Sequence, residues 1–407
     1  MVKLSGEGWL IMVGRAVRSF SFGWLSVILV LYLQLRGLGV PAIGAILTAT
    51  MVEDALLTML LSAVAARLGP ARVMAATAPL IAVGGVLLAV ADQPWLLLAG
   101  AILGTLSPNG QDAGPFAPME QSLLPATVRS GSMVRAFGWY NVLAFLPAAA
   151  GAAASGGAVG WALRHGIGAV PTYRAMLLAY AAVGLFLTVL YVALARQWPW
   201  RPPEGASAKA LGLLGLHRSR PLVMQLAGLQ AIDALAGGFI VQSLLAYWFS
   251  LRFGVGPEAV GALFFGTNLL SALSFLAATR VAERVGLLNT MVFTHLPSNV
   301  LLLLVPFMPS FATAAAALLA RHLLSQMDVP ARQAYTVALV APEERAAAAG
   351  FTASVRALAQ AFAPVVAGTT LAVAASPAPF LLAGGLKIVY DLSLFLRFRS
   401  VPLTDPR

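Results

Sequence analysis

Between two long apolar runs stands Ser62-Ala-Val-Ala-Ala-Arg67-Leu-Gly69-Pro-Ala-Arg72, a short basic turn punctuated by glycine and proline. Part of it returns 217 residues later: Val64-Ala-Ala-Arg67-Leu-Gly69, followed by Met74, becomes Val281-Ala-Glu-Arg284-Val-Gly286, followed by Met291. At the same offset Gly39 and Gly44 meet Gly256 and Gly261, and Ala144-Phe-Leu-Pro147 with Gly151 meets Ala361-Phe-Ala-Pro364 with Gly368. Three separate regions sharing one offset point to a duplicated unit. Two tandem halves with an even number of membrane crossings keep one orientation, so their symmetry axis runs along the membrane normal and a solute site is expected at mid-depth between them.

The flanking composition makes membrane the solvent. Of 407 residues, 59% are hydrophobic and 10% charged, against roughly a quarter charged in a soluble domain. A crossing helix needs about 20 mostly apolar residues. With Gly, Pro and charge as punctuation, spans are predicted near 9–35, 41–66, 71–91, 94–122, 131–155, 173–195, 219–250, 257–281, 287–308, 311–337, 347–373 and 378–397. The first is too long for a cleavable signal and is interrupted by Arg15 and Arg18, so it reads as a span. The predicted class is an all-α membrane protein of twelve helices in two six-helix bundles, 1–195 and 219–407, joined by a cytoplasmic linker at 196–218.

The net charge of +11 reflects topology rather than nucleic-acid binding, because the basic residues sit mainly in short loops. With the amino terminus inside, seventeen Lys and Arg fall on the cytoplasmic side, and four, Arg36, Arg164, Arg174 and Arg252, fall outside. That bias orients the chain with both termini cytoplasmic, as expected for an inner-membrane multi-pass protein. Cysteine is absent, which removes disulfides and thiolate metal sites. The four histidines lack ligand spacing and read as loop or packing residues; no metal or cofactor is expected.

Twelve spans in two halves, a long central linker and the 62–72 loop together resemble the major facilitator superfamily. The loop is similar to that family's G-x-x-x-D-R-x-G-R-R signature, with Ser62 and Ala66 at its usual Gly and Asp; the acidic member stands in the second half, as Glu283. The resemblance implies a transporter, not an enzyme, and a cytoplasmic gate at Arg67, Gly69, Arg72, Glu283, Arg284 and Gly286. Arg67, Arg72 and Arg284 also serve the positive-inside pattern whatever else they do.

Ionisable groups inside spans cost roughly 2.5–3.5 kcal/mol on insertion scales, so each is a functional candidate. Span 2 carries Glu53 and Asp54; Asp54 shares an i, i+4 stripe with Thr50, Thr58 and Ser62, and is favoured to face a water-filled cavity. Glu53 shares its face with Ala49, Leu57 and Leu60, and escapes the charging cost if buried with its proton. Span 10 sets Arg321, Ser325, Asp328 and Arg332 on one helical face; span 11 sets Thr352, Arg356 and Gln360. Asp233 with Gln230, Asn268 with Ser271, and Arg15 and Arg18 complete a polar lining drawn from both halves. For these residues interhelical packing is the rival reading. Lys387 and Asp391 have the spacing of a structural intrahelical pair.

Span 4 contains Ser107-Pro-Asn-Gly-Gln-Asp112, then Gly114-Pro115 and Pro118, and so should be kinked or broken; Asp112 and Asp328 each stand near a proline as a hinge. No Gly-x-x-x-x-Gly-Lys-Ser/Thr loop is present, which removes the usual ATP site. The expected function is therefore secondary transport of a small organic solute by alternating access, coupled to protons in the direction of export. The alternatives are a lipid or lipid-linked-substrate translocase and a proton-coupled uptake symporter. The partners implied are a small-molecule substrate, protons and the lipid bilayer, with no nucleic acid and a monomeric chain.

Overall fold

The computed structural model describes residues 3–104, 106–110, 115–130, 133–198, 216, 219–340, 344–372 and 375–401, with only the backbone at Ser62, Ala66, Arg67 and a few others. The first half runs α1 (Gly6–Leu35), α2 (Val40–Leu68), α3 (Pro70–Val90), α4 (Pro94–Leu103), α5 (Phe116–Thr127), α6 (Met133–Arg164) and α7 (Ala169–Gln197). The second runs α8 (Arg220–Gly238), α9 (Gln242–Phe253), α10 (Pro257–Val285), α11 (Leu287–Leu304), α12 (Phe311–Ser325), α13 (Asp328–Ala338), α14 (Arg345–Leu371) and α15 (Ala378–Phe398). Each predicted span falls on one helix or a broken pair. Among the described residues the exception to an all-α chain is a small antiparallel pairing of β1 (Lys3–Leu4) with β2 (Val128–Ser130).

Among the described residues nine helical stretches are long and apolar enough to cross a membrane. Span 4 is two short helices, α4 and α5, and span 10 is α12 and α13, interrupted at Gln326–Met327. The predicted face from Arg321 to Arg332 therefore crosses a helix break. Span 7 also divides, at Phe239–Val241.

The duplication is visible in the backbone. α2 and α10 begin and end 217 residues apart. Gly69 (φ 96°) joins α2 to α3, and Gly286 (φ 85°) joins α10 to α11; Gly37 (φ 84°) and Gly254 (φ 66°) follow α1 and α9 at the same offset. Left-handed backbone is open to glycine because it has no Cβ to clash, so these turns account for two repeated glycine pairs. Pro147 and Pro364, also 217 apart, lie inside α6 and α14.

The chain forms two compact units, Met1–Ala206 with Val241–Phe265, and Ser207–Ile240 with Gly266–Arg407. In the first, α1 packs on α6 and α7, and α3 on α7. The α1 and α6 backbones approach closely: a Cβ at Gly23 would strike the Ala148 carbonyl, and one at Gly151 the Phe20 carbonyl. Small residues permit such an approach where no water-driven force pulls helices together in lipid. α9 also belongs to this unit: Ser243 donates through its backbone N–H and its hydroxyl to the Pro108 carbonyl, both at 3.0 Å, and Gln242 donates to Ser26 Oγ at 2.8 Å. In the second unit α14 packs on α8, and α11 on α15 and α12.

Three of the four arginines assigned to the outer side are partnered. Asp92 accepts from both Arg36 and Arg174, the latter at 2.6 Å, and Arg164 pairs with Glu258 at 2.7 Å.

Candidate functional site

Each unit carries its own cluster of buried ionisable residues. In the first, Arg18 on α1 grips Glu120 on α5 with both guanidinium nitrogens at 2.8 Å, and neither side chain is exposed. The remaining carboxylate lone pairs are used: Tyr191 OH donates to Oε1 at 2.7 Å, and Tyr140 OH to Oε2 at 2.8 Å. Arg15 lies over the Tyr140 ring at 4.5 Å, and Arg18 over Phe116 at 4.9 Å. A charge pair stripped of water holds only when such secondary hydrogen bonds satisfy it, and here they do. Arg15 and Arg18, read from sequence as cavity residues, are thus knitted into helix packing. Glu120, Tyr140 and Tyr191 escaped the sequence reading because no periodic polar stripe marks them.

Asp54 stands apart from that cluster. It is 5% exposed, and its Oδ1 has no hydrogen-bond partner among the described residues. Thr50, one turn earlier on the stripe, is also buried and turns its hydroxyl back onto the Ile46 carbonyl at 2.9 Å. Glu53 is half-buried, with Oε2 unpartnered. Of the remaining stripe, Thr58 is half-buried, and Ser62 has only its backbone described. Asp112 lies outside the described residues.

In the second unit residues of four helices, α11, α13, α14 and α15, gather around Asp233 of α8. Lys387 of α15 donates to Oδ1; Arg332 of α13 and Arg356 of α14 donate to Oδ2, at 3.1 and 2.9 Å. Arg332 also holds Asp328 at 3.2 Å, across one turn. On α11, His295 contacts Asp391 at 2.9 Å, and Asn299 donates to its other oxygen at 2.8 Å. The expected Lys387–Asp391 pair is therefore replaced by two interhelical contacts, one to α8 and one to α11. His295, read as a packing residue, is a member of the charged cluster. Neither partner set was legible in the sequence, since the residues lie 92 to 154 positions apart.

Arg321 on α12 is buried beside this cluster. His322 Nε2 accepts from its Nη1 at 3.3 Å, while Arg321 Nε has no partner. Since an arginine only donates, His322 Nδ1 carries the hydrogen and faces Ser271 Oγ at 3.0 Å; Ser271 in turn donates to the Thr267 carbonyl. Asn268 is buried next to that chain on α10. Gln360 is half-buried on α14, with its backbone carbonyl against Gly238.

The loop residues are laid out differently. Arg72, Glu283 and Arg284 are exposed and make no ion pair among the described residues, and for Arg67 only the backbone is described. What the structure gives to the two loops is the paired glycine turns at Gly69 and Gly286.

No family model matches the chain. An uncharacterized membrane protein of Saccharomyces cerevisiae is 22% identical over 95% of this chain and 92% of its own length. Among solved structures, the nucleoside transporter NupG superposes with a TM-score of 0.75 at 14% identity, covering 97% of this chain and all of the other. A bacterial homologue of the human lysosomal transporter Spinster, in an inward-facing conformation, gives 0.75 at 13% identity over 97% of both chains. The human organic anion transporter MFSD10 gives 0.65 at 17% identity, covering 96% of this chain and all of the other. The repeated halves and these superpositions give one answer: this chain has the major facilitator superfamily fold.

Proposed function

We propose that the chain is a secondary transporter, moving a small organic solute by alternating access and coupling it to protons in the direction of export. Its fold supports solute carriage, since repeat-built folds of this kind serve transporters that open a mid-depth site to one side at a time. The neighbours named for nucleosides and for organic anions show how widely the solute varies on this scaffold, so the chemistry of individual residues has to decide it.

Asp54 carries the proton-coupling part. A carboxyl at membrane depth is costly and is retained where it relays protons or binds a solute; its 5% exposure and unpartnered oxygen fit a group that exchanges partners during a cycle. By contrast, Glu120 has every lone-pair direction engaged and suits a structural post. The division into bundles 1–195 and 219–407, an inner-membrane location with cytoplasmic termini, and a gate at Arg67, Gly69, Arg72, Glu283, Arg284 and Gly286 belong to the same reading. The repeated left-handed glycine turns support the gate, since they set how each loop leaves its helix.

The test is a pH-sensitive dye inside proteoliposomes holding the purified chain, screened against organic acids, amphipathic cations and sugars. A solute-dependent pH change that vanishes in Asp54→Asn is expected. Solute movement with no pH change, equal in both proteins, rules out proton coupling at Asp54.

A further inference from the structure

The cluster on Asp233 leaves one positive charge over. Its carboxylates, Asp233, Asp328 and Asp391, are held by Lys387, Arg332, Arg356, His295 and Asn299. Arg321 is the fourth cation, 7% exposed and in electrostatic range of Asp233 and Asp328, yet paired with neither. Counting histidine as neutral, this is four charges against three among the described residues. One turn further along α12, on the same face, Ser325 is 4% exposed and its Oγ has no partner. Arg321 Nε and Ser325 Oγ are thus two buried hydrogen-bonding groups on one face, each lacking a partner among the described residues. Arg356 holds Asp233 through Nη1 while its side chain keeps 24% exposure.

We propose that this face of the second unit binds a small organic monoanion, a carboxylate or sulfonate, whose oxygens accept from Arg321 Nε and Ser325 Oγ, with Arg356 adding charge. A buried cation without a counter-charge is costly, and an anion supplies what the cluster lacks: one negative charge and acceptors for two donors. A cation would add to the excess, and a neutral amide would satisfy hydrogen bonds but leave the charge. As an account of the transported solute this rests on the transporter reading above; as a binding site it does not.

The experiment is thermal unfolding of the purified full-length chain in detergent with benzoate, benzenesulfonate and pyruvate, against benzamide and benzyltrimethylammonium. At a hundredfold excess over Kd, at least one anion should raise Tm by about 3 °C, with a further rise that follows the logarithm of its concentration, and the amide and ammonium should not. Arg321→Gln should abolish the shift while leaving the ligand-free Tm equal or higher, because it removes a charge that has no carboxylate partner. No shift with any anion, an equal shift with benzamide, an undiminished shift in Arg321→Gln, or a lower ligand-free Tm in that variant would each overturn the proposal. Binding without uptake or release by proteoliposomes would keep the anion site and discard the transporter reading; transport of only cations or neutral solutes would do the reverse.

Discussion

Arg18 and Glu120 are joined by two parallel 2.8 Å contacts with neither side chain exposed, across 102 residues of sequence. The pair ties α1 to α5 at the point where Tyr140 of α6 and Tyr191 of α7 also converge, so one carboxylate organises four helices of the first unit. Replacing Glu120 by Gln strands a buried guanidinium and should cost about 3–5 kcal/mol. Arg18→Leu with Glu120→Leu removes both charges and should recover much of that loss. Thermal denaturation of the detergent-solubilised chain, read by size exclusion, separates the two; a Glu120→Gln protein as stable as the parent would show that the pair does not hold the bundle.

Asp233 has the corresponding place in the second unit, with Lys387, Arg332 and Arg356 all donating to it. Asp233→Asn leaves three cations without their shared counter-ion and should lower stability by about 3–5 kcal/mol. Adding Lys387→Met to it should restore part of the loss. If the double variant is less stable than Asp233→Asn, Lys387 has another anchor.

Asp54 should behave oppositely. Its Oδ1 makes no hydrogen bond, so Asp54→Asn should shift unfolding by less than about 1 kcal/mol while uncoupling solute movement from protons. Denaturation and dye-reported transport on the same preparation check this, and a variant that fails to fold would make Asp54 a structural residue.

Gly23 and Gly151 set the α1–α6 spacing, since a side chain at either would run into backbone of the other helix. Gly23→Leu should cost at least the roughly 1–3 kcal/mol of an overpacked core, because helix backbone cannot rotate away as a side chain can. Yield and Tm report it. Gly157→Leu, at an open position on α6, is the control and should leave both near parental values.

The sequence by itself determined the span positions, the duplication and the break in span 4, because each rests on local properties, whereas the breaks in spans 7 and 10 came only from the structure. About 20 apolar residues must cross the bilayer as helix when no water is available to their backbone. A glycine turn keeps its left-handed geometry wherever the loop recurs, and the proline-rich stretch after Gly104 cannot continue an α-helix. Asp54 was singled out by its stripe on the same grounds. Which charges belong together was decided only by tertiary structure. The i, i+4 spacing of Lys387 and Asp391 predicted a pair, but buried charges take the partners that satisfy the most donors and acceptors, and those stood on other helices: Asp233 for Lys387, His295 and Asn299 for Asp391. Glu120, a residue on no periodic polar stripe, became the counter-ion of Arg18 because two helices distant in sequence pack side by side, and pairing by proximity in space leaves no period in the chain.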